Sequence, residues 1–135
     1  MPRLLAIDFG EKRIGLATCD ATGQVVAARR TLRRARDTAV VEEIGRFCRE
    51  EEVEGVVLGL PRSRDGSETP LTLRVRSFGD KVARATGLPL VYHDEALTSW
   101  QAERDLAAPT KEQIDRSAAA VLLADYLAHV SGGQR

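Results

Sequence analysis

The chain of 135 residues balances 20 Lys/Arg against 20 Asp/Glu, with 43% hydrophobic and 30% charged residues. That length suits one layered domain over residues 1–135, and no apolar run approaches the ~18–20 residues of a membrane-spanning helix. The zero total does not exclude a polyanionic partner, because the charge is segregated: residues 1–36 sum to +5, 37–55 to −5, 56–90 to +3 and 91–135 to −3.

Met1-Pro2-Arg3 leads straight into an apolar run without a signal-peptide pattern, so a cytoplasmic protein with reduced thiols is expected. "RLLAID" and "RIGLATC" are β-rich runs around a charged, Gly-containing turn and read as a hairpin. After the turn at Ala21-Thr22-Gly23, "QVVAARRTL" reads as a third strand. Asp37 suits an N-cap, and Val40, Val41, Ile44, Phe47 and Cys48 recur behind it at helical spacing. "EGVVLGLP" is an almost unbroken apolar strand of the kind covered on both faces. The polar loop "RSRDGSE" follows, with a turn signal in Asp65-Gly66.

Thr69-Pro70 then fits an N-cap with Pro at the first helical position. Leu71, Val75, Phe78 and Val82 mark the apolar face of that helix, which Gly87 and Pro89 end. "LPLVYHDE" is a fifth strand; Thr98 or Ser99 caps a short helix to about Ala108. Thr110 and Gln113 have the form of a capping box ahead of a last helix from Ile114 to about Val130, and "SGGQR" (131–135) reads as a frayed tail. Cys19 and Cys48 are read as packing residues.

Three acids lie where charge is expensive. Asp8 closes the first strand, Glu95 the fifth, and Asp115 opens the apolar part of the last helix. Helical spacing sets Asp115 on the face of Ala118, Ala119 and Leu122, whose small side chains permit close approach to the sheet. Functional groups of an open sheet gather beyond the carboxyl ends of its strands. Clustered carboxylates repel, and a hard divalent cation with oxygen ligands resolves the repulsion. Two such ions ~3.5–4 Å apart clamp the attacking and leaving oxygens of a phosphodiester. Any one of these acids alone reads more simply as a cap, a salt-bridge partner or a solvated residue; the three together carry the argument. Other chemistries lack support: the two histidines and two cysteines have no zinc spacing, and there is no nucleophile elbow, Walker loop or dinucleotide fingerprint.

The motifs "IDFGEKRIGLA", "VVLGLPRSRDGS" with "TPLTLRVRSF", "HDEALTS" and "IDRSAAAVLLADYL" resemble those of the YqgF (RuvX) family, Holliday-junction-resolvase-like nucleases also described as pre-16S rRNA processing nucleases. The resemblance spans residues 4–129. It implies an α/β, ribonuclease H-like fold, read here as a five-stranded mixed sheet in the order 3-2-1-4-5 flanked by helices. It also implies Asp8, Glu95 and Asp115 as catalytic acids and metal ligands, Mg²⁺ or Mn²⁺ as cofactor, and nucleic acid as substrate. Processing of the 5′ end of pre-16S rRNA is the leading expectation, with branched DNA as the alternative. The chain departs from the family pattern at Ala96, where Arg is usual, at Glu11, where a small residue is usual, and in the basic Arg62 and Arg64.

Arg62 and Arg64 follow a buried strand and are expected to emerge beside Asp8 as substrate contacts. Lys12 and Arg13 in the first turn, and Thr98 and Ser99 at a helix start, are further candidates for phosphate. The run Arg29, Arg30, Arg33, Arg34 and Arg36 divides evenly between phosphate contact and a charged edge strand. His93, Asp94, Tyr92 and Trp100 are read as structural. Two rivals stand beside the nuclease: a catalytically weak RNA-binding module, kept open by Ala96, and an actin-like ATP-binding domain, which needs a second domain to close over its nucleotide. Symmetric cutting of a four-way junction needs a two-fold dimer; monomer and homodimer both remain open.

Overall fold

The apolar run ahead of Asp8 forms the middle of the sheet. In the computed structural model, which describes residues 2–94 and 111–133, β1 (Leu4–Phe9), β2 (Arg13–Cys19) and β3 (Val26–Arg33) form an antiparallel meander. Helix α1 (Asp37–Glu50) leads to β4 (Gly55–Leu60), α2 (Pro70–Thr86) leads to β5 (Leu90–Asp94), and α3 (Lys111–Gly133) follows. β4 is parallel to β1 and β5 to β4, and the strand order is 3-2-1-4-5, as expected from the sequence.

Alternation along β1 sorts the layers. Leu5, Ile7 and Phe9 enter a core with Ile14, Leu16, Val56 and Leu58 of the sheet and Ile44, Phe47, Val75 and Phe78 of α1 and α2. Leu4 and Ala6 face the other way, against Cys19, Val57 and the α3 residues Leu122, Leu123 and Leu127. All six residues of β4 are buried, because helices cover both its faces. Asp8 shares the face of Leu4 and Ala6, so it lies on the α3 side.

The local signals behave unequally. At Thr69 the capping box is complete: its hydroxyl accepts from the Thr72 N–H, and the Thr72 hydroxyl accepts from the Thr69 N–H at 2.9 Å. Gly87 stops α2 in the left-handed region, at φ 67°. Val75, Phe78 and Val82 are buried as their spacing predicts, but Leu71 is 45% exposed. In that first turn the buried residue is Thr72, whose hydroxyl donates to the Pro61 carbonyl.

Asp37 is not the N-cap of α1. Arg36 occupies that position without a side-chain cap bond, and Asp37 is the first helical residue. Its carboxylate is drawn instead to Arg74 at 2.6 Å and Lys81 at 2.9 Å, which tie α1 to α2. Helix α3 starts at Lys111, ahead of the expected Ile114, and reaches Gly133. The short helix expected to end near Ala108 lies outside the described residues. Among the described residues no helix is long and apolar enough to cross a membrane.

Candidate active site

Asp8 is 5% exposed, near the carboxyl end of the central strand. Directly across the antiparallel pair stands Gly15. On the other side Ile7 pairs with Leu58 in parallel register, so Gly59 follows along β4 beside Asp8. Neither strand neighbour therefore brings a side chain against the carboxylate. Glycine inside a strand weakens it and often marks a place where a ligand or another backbone comes close. Reasoning from the sequence missed this pair. The signal was present as isolated glycines inside "RIGLATC" and "GVVLGL".

Asp115 lies on α3, the helix that packs on Asp8's face through Leu122, Leu123 and Leu127. The face predicted for it is the buried one: Ala118, Ala119 and Leu122 are at most 1% exposed. The side chain of Asp115 lies outside the described residues, as do Glu95, Ala96, Thr98, Ser99 and Trp100. The described part of β5 runs to Asp94. Among the described residues no three His, Cys, Asp or Glu side chains are gathered to hold a metal.

The basic run resolves into distinct duties. Arg29 pairs with Glu51 at 2.9 Å and donates to the Thr18 hydroxyl, and both Arg29 and Arg30 lie over the Phe47 ring. Arg34 is spent on the first turn. It donates to the carbonyls of Gly10 (3.4 Å) and Glu11 (3.0 Å), and its guanidinium sits 4.5 Å from the Phe9 ring centre. Lys12, Arg13, Arg33 and Arg34 line a cleft of about 380 Å³ together with Glu11.

Arg62 and Arg64 are exposed on the loop that leaves β4, at the same sheet end as Asp8 because β4 is parallel to β1. The loop is held by Asp65, which accepts from the Ser63 hydroxyl (2.5 Å), the Ser67 hydroxyl (2.7 Å) and the Ser67 N–H (2.9 Å). The Ser63 hydroxyl foremost, then Ser67, holds this carboxyl down to about 2.

His93, Tyr92 and the two cysteines are engaged in packing and local bonds. His93 Nε2 lies 2.6 Å from Asp125 of α3, and its ring meets Tyr126 edge-on. Tyr92 packs on the core, and its hydroxyl donates to the Arg76 carbonyl. Cys19 and Cys48 are buried free thiols, the latter pushed up to about 11 by burial.

A family model described as "RuvX: Holliday junction resolvase" matches residues 2–129. The chain belongs to the RuvX family. Curated relatives carry the name "Putative pre-16S rRNA nuclease". That of Trichormus variabilis is 40% identical over 129 residues, 91% of this chain and 85% of the relative. That of Gloeobacter violaceus is 38% identical over 128 residues, 92% of this chain and 82% of the relative. Both descriptions denote nucleases, so the RuvX family places this chain among hydrolases of phosphodiester bonds. Among solved structures, T. thermophilus RuvC in complex with a Holliday junction substrate matches at a TM-score of 0.63 and 14% identity, over 98% of this chain and 97% of that one. That likeness is one of fold, and the fold is ribonuclease H-like.

Proposed function

We propose that this RuvX chain is a single-domain cytoplasmic nuclease that hydrolyses structured RNA, precursor 16S rRNA being the substrate its relatives are named for. Asp8, Glu95 and Asp115 are its catalytic acids. The observation that carries the reading is the setting of Asp8: a buried carboxylate at the end of the central strand, on the face packed by the helix of Asp115, with Gly15 opposite.

Carboxylate oxygens are the donors that hard divalent ions such as Mg²⁺ or Mn²⁺ take. Gly15 and Gly59 add no side chain of their own beside this carboxylate donor, so the described part of the site fits the group. Asp8, Glu95 and Asp115 would hold it, and such ions when bound supply Lewis acidity to the phosphodiester and to water. The chain's other residues bind and orient. Arg62 and Arg64 meet the substrate backbone from a loop braced by Asp65, Lys12 and Arg13 meet it from the first turn, and Thr98 and Ser99 offer backbone N–H groups. Cations crowded at one sheet end also raise the local concentration of a polyanion.

The test is a panel of single-stranded RNA, hybrid duplex, precursor-rRNA-like stems and branched DNA, each with Mg²⁺, Mn²⁺ or EDTA. Cleavage is expected with either ion and none with EDTA, and Asp8→Asn is expected to lose about 10³-fold or more while melting and binding normally. Full activity in that variant overturns the assignment. Preferential cutting of branched DNA moves the substrate to the alternative.

A further inference from the structure

Arg13 of β2 and Arg33 of β3 are directly paired across the antiparallel ladder. Like charges directly opposite destabilise a sheet, yet among the described residues neither guanidinium has a carboxylate partner. Three arginines elsewhere are paired with carboxylates, Arg29 with Glu51, Arg74 with Asp37 and Arg76 with Glu68; what sets Arg13 and Arg33 apart is that they face each other. Lys12 stands next to the pair in sequence and shares its cleft, where Glu11 is the acid among the lining residues.

The position of the pair relates to Asp8. Gly15 opposes Asp8, and Arg13 is two residues from Gly15 on the same strand, hence on the same face. Arg13 is thus the diagonal neighbour of Asp8, their backbone positions about 7–8 Å apart, so the cleft that it lines opens on the Asp8 face of the sheet. The cleft of about 380 Å³ accommodates a phosphate with several waters, each water taking roughly 30 Å³.

We infer that Arg13 and Arg33, with Lys12 at the rim, clamp a non-scissile phosphate of the nucleic-acid backbone beside the Asp8 centre. The inference rests on the reading above that the substrate is a nucleic acid, and it names a residue, Arg33, and a subsite that the reading lacks. The bound phosphate turns a repulsive pair into a charge-assisted fork, as guanidinium groups favour. Arg34 plays a different part: its hydrogen bonds to Gly10 and Glu11 set the turn that presents Lys12.

The experiment measures binding of a precursor-rRNA-like hairpin to Asp8→Asn protein across a KCl series. Arg13→Ala and Arg33→Ala are each expected to reduce the slope of log K against log[KCl] by about 0.7–0.9 and to weaken binding several-fold at low salt. Arg33→Lys is expected to retain the slope. Without RNA, Arg33→Ala is expected to melt higher than its parent at low salt, with the gain fading as salt screens the repulsion. Unchanged slopes in both alanine variants overturn the clamp even if the native chain cleaves. Reduced slopes in a chain that cleaves nothing leave the clamp standing and remove the nuclease reading.

Discussion

Asp8 of β1 stands directly opposite Gly15 of β2. Opposed Cβ positions in an antiparallel pair lie about 4.5–5.5 Å apart, so residue 15 decides whether side-chain atoms press on the carboxylate from β2. Gly15→Ala is expected to lower cleavage at least about tenfold, since small displacements at a reacting centre are costly. Circular dichroism and a melting curve separate this from unfolding. An alanine variant with full activity shows that the space beside Asp8 is not used.

The turn after Asp8 depends on a residue 24 positions beyond Gly10. Arg34 bonds two turn carbonyls with its side chain, and its own N–H donates to the Lys12 carbonyl at 2.9 Å. Arg34→Ala is expected to raise KM several-fold by loosening the turn that presents Lys12, and to cost about 1–2 kcal/mol of stability. Arg34→Lys keeps the charge but loses the planar fork, and so recovers little of either. Full recovery in the lysine variant reduces Arg34 to its charge.

Acid is expected to weaken the α1–α2 contact. The Arg74 guanidinium foremost, aided by Lys81, holds the Asp37 carboxyl down to about 2, against about 3.9 in an unfolded chain. A depressed folded value contributes stability above pH about 4 that is lost as pH falls toward 2. Because Arg74 is 37% exposed, the contribution is on the order of 1 kcal/mol after solvent screening. Urea midpoints at pH 7 and pH 3 check this: Asp37→Asn is expected to be less stable at pH 7 and to lose less between the two. An equal loss in both proteins places the acid sensitivity elsewhere.

Gly79 lies in the middle of α2, where alanine ordinarily stabilises a helix by about 1 kcal/mol. Here a Cβ would collide with the Tyr92 hydroxyl and press on Leu58 at 3.0 Å. Overpacking of a buried contact costs about 1–3 kcal/mol, so Gly79→Ala is expected to be destabilising by about 1 kcal/mol in a denaturant titration. Gly79→Ala combined with Tyr92→Phe is expected to regain part of that loss. A stabilised Gly79→Ala protein shows that Tyr92 yields freely.

Much of the architecture was legible in the chain because its signals are local. β-rich runs on either side of a Gly-containing turn placed β1 and β2, the unbroken apolar run marked β4 as covered on both faces, Thr69 and Gly87 bounded α2, and the small residues Ala118 and Ala119 identified the buried face of α3. What only the tertiary structure decided lies in contacts between distant residues. Asp37 looked like a cap until Arg74, 37 positions away, claimed its carboxylate. Leu71 kept helical spacing but fell in a turn where Thr72 takes the buried place. The basic run looked uniform until β3 was set in register against β2, which put Arg30 on Phe47 and Arg33 opposite Arg13. Spacing within a segment reports which face a residue occupies; what stands across from it depends on strand pairing and helix packing, and those form between parts of the chain that carry no mark of one another.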